Sequence, residues 1–292
     1  MSARHGAFLA ALAAAAVALV AACQAVKDAV PNEGTLGRIV HGAADAGQLM
    51  ADLQITEEQE MEIGRGVAAQ LIATYGLCED PALTEYVELV GAVVASASDD
   101  PERAYRFAIL DTTAVNAFST PGGFVFLTKG AVLAASSEAE IAALLGHEIA
   151  HVALGHGISA VKSGIVVRGL GNVAQSAGGF RLDESTMGPV VDIASDAVLK
   201  KRDRGDEIES DALGAEYAAA AGYNPNGMRR FLERLEELGK RSDASVEHLF
   251  ATHPSPADRI EELDAAMAER GLAKNDPRPW LEDRFRARVR RS

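Results

Sequence analysis

The chain has 292 residues, 48% of them hydrophobic and 24% charged, which is ordinary globular composition and enough for one large domain or two small ones. A net charge of -14 makes nucleic acid an unsuitable general partner. Aromatic residues are only 5% and alanine is plentiful, a balance that favours helices over sheets.

The first 22 residues stand apart from the fold. Arg4 and His5 precede the apolar run "AFLAALAAAAVALVAA", which suits a secretory signal better than a membrane span. It ends in "LVAAC", where Ala21, Ala22 and Cys23 resemble a bacterial lipobox. That resemblance implies cleavage before Cys23 and lipidation of its thiol; a plain signal peptide cleaved nearby is the alternative. Gln24 after the cysteine, by analogy with bacterial lipoprotein sorting, favours the periplasmic side of the outer membrane over the inner membrane. Only Cys23 and Cys78 are present, so a lipidated Cys23 leaves Cys78 without a disulfide partner.

Residues 23–55 read as a tether. At Thr56 the pattern turns helical, with Thr56 and Gln59 spaced as a capping box and Gly76 as the stop. "DPALTEYVELVGAVVASAS" is a second helix with Pro81 in its first turn. The period then drops to two in "YRFAILD" and "GFVFLTKG", two short strands flanking "AVNAFSTPGG". Ser137 and Glu140 open a long helix through "GHEIAHVAL". Residues 157–203 are glycine-interrupted and fit either a mobile or membrane-facing element or an ordinary packing helix and loop. Three further helices follow: one through "GDEIESDALGAEY", one with Asn224 as cap and Pro225 in its first turn, and one capped by Ser255 and stopped by Gly271. The domain is expected to span residues 56–270, with 271–292 a basic tail that either touches anionic lipid or frays, fraying being the favoured reading.

His147 and His151 lie four residues apart, so a helix presents both on one face, where two imidazoles can bind one zinc ion. Glu148 beside them can take the proton of a water whose pKa the metal lowers. This is the HExxH arrangement. A third protein ligand is needed to leave the fourth position open. The metzincin pattern does not supply it, because Leu154 and Gly157 occupy the required glycine and histidine positions. His156 is one residue out of register and reads as supporting a ligand or as surface. "DEIESD" offers Glu207 and Asp211 on one helical face, one for the metal and one to orient a ligand histidine; a solvated acidic face is the alternative, since Asp206 and Glu209 are also present.

HExxH followed by "EIESD" resembles the gluzincin metallopeptidases of the HtpX, BepA and Ste-type CAAX prenyl protease family. The likeness extends through "DPALTEYVELVG", "NAFSTPGGFVFLTKGAV", "SEAEIAALLGHEIAHVALGHG" and "THPSPADRIEEL", and is nearest to periplasmic lipoprotein members. "KKRDRGDE" departs from the family's tyrosine-serine-arginine lead-in. The resemblance implies an α+β, mainly helical zincin-like domain with a small sheet on the active-site helix. It implies one zinc ion per chain on His147, His151 and Glu207, with Glu148 as general base and Asp211 behind a ligand. Asn116, Ala117 and Phe118 would form an edge that pairs with substrate, and Pro121, Gly122 and Gly123 the turn after it. His253 would serve as gate or oxyanion stabiliser, or is a plain loop histidine. The implied activity is a zinc endopeptidase, tethered to the membrane by lipid, acting on unfolded or misassembled envelope proteins. A chaperone-like assembly factor with a gated or silent protease site is the alternative.

Overall fold

The computed structural model describes residues 50, 53–168, 184–200, 202–241, 243–246 and 255–289. Cys23, the expected tether and His253 lie outside the described residues. Residues 56–161 and 182–292 form one unit, which carries the elements below. The other, residues 1–55 and 162–181, contributes Met50, residues 53–55 and the end of one helix; within it the Ser163 hydroxyl lies 3.8 Å from Met50 Sδ.

The fold is α+β and mainly helical. Helices α1 (Glu57–Tyr75) and α2 (Pro81–Ser96) come first. Thr56 and Gln59 close the capping box of α1 reciprocally, and Asp80 caps α2 through Leu83 N–H. Strands β1 (Arg106–Leu110), β2 (Ala117–Thr120) and β3 (Phe124–Thr128) make a mixed sheet of order β1-β3-β2, with β1 parallel and β2 antiparallel to β3. A single turn, Pro121–Gly123, joins β2 to β3. Gly122 takes φ 74° there and its N–H donates to Glu60 of α1 at 3.0 Å.

Short helix α3 (Lys129–Ala134) leads into α4 (Glu138–Ala153), the centre of the molecule. Every residue of α4 from Glu138 to Val152 is buried. Such a helix must satisfy its polar side chains internally. In its first turn, Glu138 meets the hydroxyls of Tyr86 and Tyr223, while Glu140 accepts from Ser136 and Ser137. After α5 (His156–Val167) come α6 (Glu184–Leu199), α7 (Arg204–Ala220), α8 (Gly227–Lys240), α9 (Pro256–Glu269) and α10 (Glu282–Val289). Helix α6 buries Val190, Ile193 and Ala194, and Val191 lies over Gly66 of α1. Part of the ambiguous 157–203 segment is therefore an ordinary packing helix. No single helix among the described residues is long and apolar enough to cross a membrane.

Two expectations need correction. Asn224 does not cap α8, which starts at Gly227 with Asn226 as its first flanking residue. Asn224 Oδ1 accepts from Asn226 N–H just ahead of the helix, and its amide donates to the carbonyls of Asp276 and Arg278. The basic tail does not fray over its described length: Phe285 and Val289 are buried, and Arg284 pairs with Glu138. The apolar residues of α10 recur at i and i+4, and that stripe is what docks it.

Candidate active site

Helices α4 and α7 cross at two glycines. A Cβ on Gly146 would stand 2.7 Å from the Gly214 carbonyl oxygen, and one on Gly214 would stand 2.6 Å from His147 N. Only backbones without side chains approach so closely. This crossing carries Glu207, two turns before Gly214, onto the histidines of α4.

His147, His151 and Glu207 are all buried, and each offers a ligand atom within 4.8 Å of the others. The two Nε2 atoms are 3.1 Å apart. Glu207 Oε1 is 3.2 Å from His151 Nε2, and its Oε2 is 3.7 Å from His147 Nε2. Tetrahedral zinc with ligands near 2.0–2.1 Å requires neighbouring donors about 3.3 Å apart. The three donors thus fit zinc in spacing, and two imidazoles with one carboxylate fit it in chemistry. Glu148 Oε2 is buried beside them with no hydrogen-bond partner among the described residues, the Arg202 guanidinium standing 3.7 Å away.

The surroundings orient these groups. Asp211 Oδ1 lies 2.8 Å from His147 Nδ1, which turns Nε2 toward the cluster. Burial alone would push His147 down, but Asp211 and Glu207 outweigh it and raise it above its ordinary value. Burial, with the charge of Arg202 second, holds His151 well below that value. His151 Nδ1 is 2.8 Å from His156 Nδ1, and His156 Nε2 is 3.5 Å from Asp206, so His156 backs a cluster histidine and does not join the cluster.

Two arginines that sequence reasoning left without a role complete the site. Arg259 is buried and donates to both oxygens of Asp211, at 2.8 and 2.7 Å, with Glu207 3.5 Å away. Against the burial that resists it, Arg259 pulls the Asp211 carboxyl below the usual carboxylate range. A signal for Arg259 was present: it falls on the buried stripe Pro256, Arg259, Leu263 and Met267 of α9, where a cation requires a buried anion. Arg202, just ahead of α7, reaches toward Glu148, Glu207 and Ser119, and nothing in its local sequence marks it.

Strand β2 lies at one edge of the sheet beside α4, with Asn116 just before it. The Asn116 carbonyl accepts from Thr128 N–H, so by the alternation of an antiparallel pair the backbone of Phe118 also faces β3. Ala117 and Ser119 are the residues whose backbone faces away from β3, and the Ala117 N–H donates to Asn116 Oδ1 at 2.9 Å. Phe118 is buried and stacks on Tyr75 at 5.9 Å, which makes it a core residue of the strand. A pocket beside His147 and Glu148 is bordered by Leu144, Phe231, Leu232 and Leu235.

Residues 81–267 match the sequence profile of peptidase family M48. The chain belongs to this family. Among M48 relatives, it is 30% identical to a Vibrio cholerae protein named as a beta-barrel assembly-enhancing protease, over 72% of this chain and 44% of that one. It is 24% identical to the beta-barrel assembly-enhancing protease of Escherichia coli, over 77% and 48% of the respective chains. The metalloprotease LoiP of Escherichia coli is also 24% identical, over 66% of this chain and 75% of its own. The chain spans about half the length of the two assembly-enhancing relatives. M48 membership makes this a metallopeptidase-family fold, and the His147, His151 and Glu207 cluster lies within the matched residues.

Proposed function

We propose that the chain is a zinc-dependent endopeptidase of the bacterial envelope, tethered by lipid at Cys23 to the periplasmic side of the outer membrane. The observation that carries the peptidase reading is the spacing of three buried donors at zinc-ligand distances, with the buried Oε2 of Glu148 beside them. Its proposed substrates are unfolded or misassembled envelope proteins. Support for that part is the lipobox-like "LVAAC" and the names of the relatives.

His147, His151 and Glu207 would hold one zinc ion, which when bound supplies a Lewis acid that makes water nucleophilic near neutral pH. Glu148 accepts the proton of that water as oxygen attacks the peptide carbonyl, then gives it to the departing amine. Asp211, braced by Arg259, keeps His147 turned inward. The open side of β2 would pair with the substrate backbone. The pocket lined by Leu144, Phe231 and Leu235 suits an apolar side chain next to the scissile bond.

The word "assembly-enhancing" in the relatives' names favours a second reading, an assembly factor whose protease site is secondary. Glu148→Gln separates the two. The amide keeps the fold and the zinc but cannot take a proton, so cleavage of an unfolded protein should fall about 100-fold or more. Cleavage at the wild-type rate would rule out the assigned base. Full cellular function without cleavage would favour the assembly factor.

A further inference from the structure

Arg202 and Arg259 both point into the site, but they are held differently. Arg259 is held by two short bonds to Asp211. The Arg202 side chain is only 13% exposed, yet among the described residues its polar contacts are long: 3.5 Å to Ser119 Oγ, 3.7 Å to Glu148 Oε2 and 4.0 Å to Glu207 Oε1. A guanidinium carries five N–H donors and is normally saturated when buried. Those of Arg202 are poorly used among the described residues, and its Nη2 lies between Ser119 of β2 and Glu148 of α4.

Charge points the same way. Among the described residues, the buried carboxylates here are Glu148, Glu207 and Asp211. With zinc bound, Arg259 and the ion would balance these three negative charges, and Arg202 is a further cation among the described residues. The reaction moves one negative charge: Glu148 becomes neutral as it takes the water proton, and the carbonyl oxygen of the scissile bond gains the charge, so the Arg202 cation beside Glu148 is left to face the oxyanion.

We propose that Arg202 is a catalytic residue that donates hydrogen bonds to this oxygen as it becomes an oxyanion. The inference rests on the peptidase reading. As the water oxygen bonds to the carbonyl carbon, its proton passes to Glu148 and the C=O π pair moves onto oxygen, opposite Arg202. The pair then returns, the C–N bond breaks, and the amine leaves with the proton from Glu148. Arg202 stays protonated throughout.

The test compares zinc-loaded wild type with Arg202→Met, Arg202→Lys and the exposed neighbour Arg204→Gln. It measures zinc per chain, kcat and KM on an unfolded protein, and affinity for a phosphinic peptide, an anionic tetrahedral mimic. Arg202→Met should keep its zinc and lose about 100- to 1000-fold in kcat, the range for one oxyanion donor. Its KM should move by less than about threefold, while phosphinate affinity falls in step with kcat. Arg202→Lys should recover part of both, and Arg204→Gln should match wild type. Wild-type kcat and phosphinate affinity in Arg202→Met would overturn the inference. So would faster turnover, which would mark Arg202 as a plug, or loss of zinc from both Arg202 variants, which would make it structural. A zinc-loaded wild type that neither cleaves nor binds the phosphinate would sink the peptidase reading, and this inference with it.

Discussion

At the scale of single residues, the carboxylates of α7 have different tasks although they are close in sequence. Glu207 and Asp211 are one turn apart and both buried, the first at the histidine Nε2 atoms and the second behind His147 Nδ1. Glu209 is rotated about 200° from Glu207 and is absent from the cluster. Glu207→Ala should therefore abolish zinc binding. Asp211→Ala should weaken it about 10- to 100-fold, and Glu209→Ala should leave it unchanged. Zinc stoichiometry on the three purified variants checks the order, and full zinc in Glu207→Ala would remove Glu207 from the ligand set. Arg259 explains why Asp211 stays ionised so deep in the protein. Each is the other's neutralising charge, and removing one partner of a buried pair typically costs about 3–5 kcal/mol.

At the scale of elements, the site depends on how close α4 and α7 come. Gly146 and Gly214 set that distance. Gly214→Ala favours the helix locally, since alanine is the better helix former. It should nevertheless push α7 off His147, because its Cβ would lie 2.6 Å from the His147 nitrogen. The expected result is unchanged far-ultraviolet helicity with zinc affinity reduced about 10-fold or more. Zinc affinity equal to wild type would mean that the crossing does not set the ligand geometry. The edge strand carries a parallel lesson. "NAFST" is legible as a strand, but which of its backbone groups face outward depends on its register with β3. Ala117 and Ser119 carry those groups, the Ala117 N–H is taken by Asn116 Oδ1, and the Ser119 hydroxyl meets Arg202.

At the scale of the whole molecule, the C-terminal segment belongs to the core. Phe285 is buried, and Arg284 shares Glu138 with Tyr86 and Tyr223 at the start of the histidine-bearing helix. Phe285→Ala should cost about 3–5 kcal/mol, as for other large-to-small core changes. The exposed Arg288→Ala should cost under about 0.5 kcal/mol. Thermal melting of the pair decides between a docked segment and a fraying one. Alkaline pH provides a second global test. Burial, with the charge of Asp100 adding, pushes Tyr105 up from 10.0 to about 12. A phenol whose folded pKa is raised contributes stability that is complete below its unfolded value and lost as pH rises through the folded one. Tyr86, Tyr217 and Tyr223 are raised as well, each by burial first and then by a neighbouring carboxylate. Stability should therefore fall between pH 10.0 and about 12. Tyr105→Phe should make that fall shallower, as read from melts at stepped pH. An equally steep fall in the variant would show that Tyr105 does not contribute.

What the sequence determined by itself is the local chemistry. HExxH on a helix, the ExxxD pair one turn apart, the capping boxes and the alternation of the strands are all short-range patterns, and backbone periodicity alone decides which side chains share a face. The family likeness was legible for the same reason, since it is carried by those patterns. Tertiary structure decided everything that depends on which elements meet. Asn224 looks like a helix cap, but its Oδ1 holds Asn226 ahead of the helix while its amide donates to the chain at residues 276–278. The basic tail looks solvated until Glu138 and the core receive Arg284 and Phe285. Arg259 and Arg202 lie 48 and 83 residues from the partners they meet, Asp211 and Ser119. No period links such positions. Their roles follow only from packing, because a buried charge takes its meaning from the opposite charge that the fold brings to it.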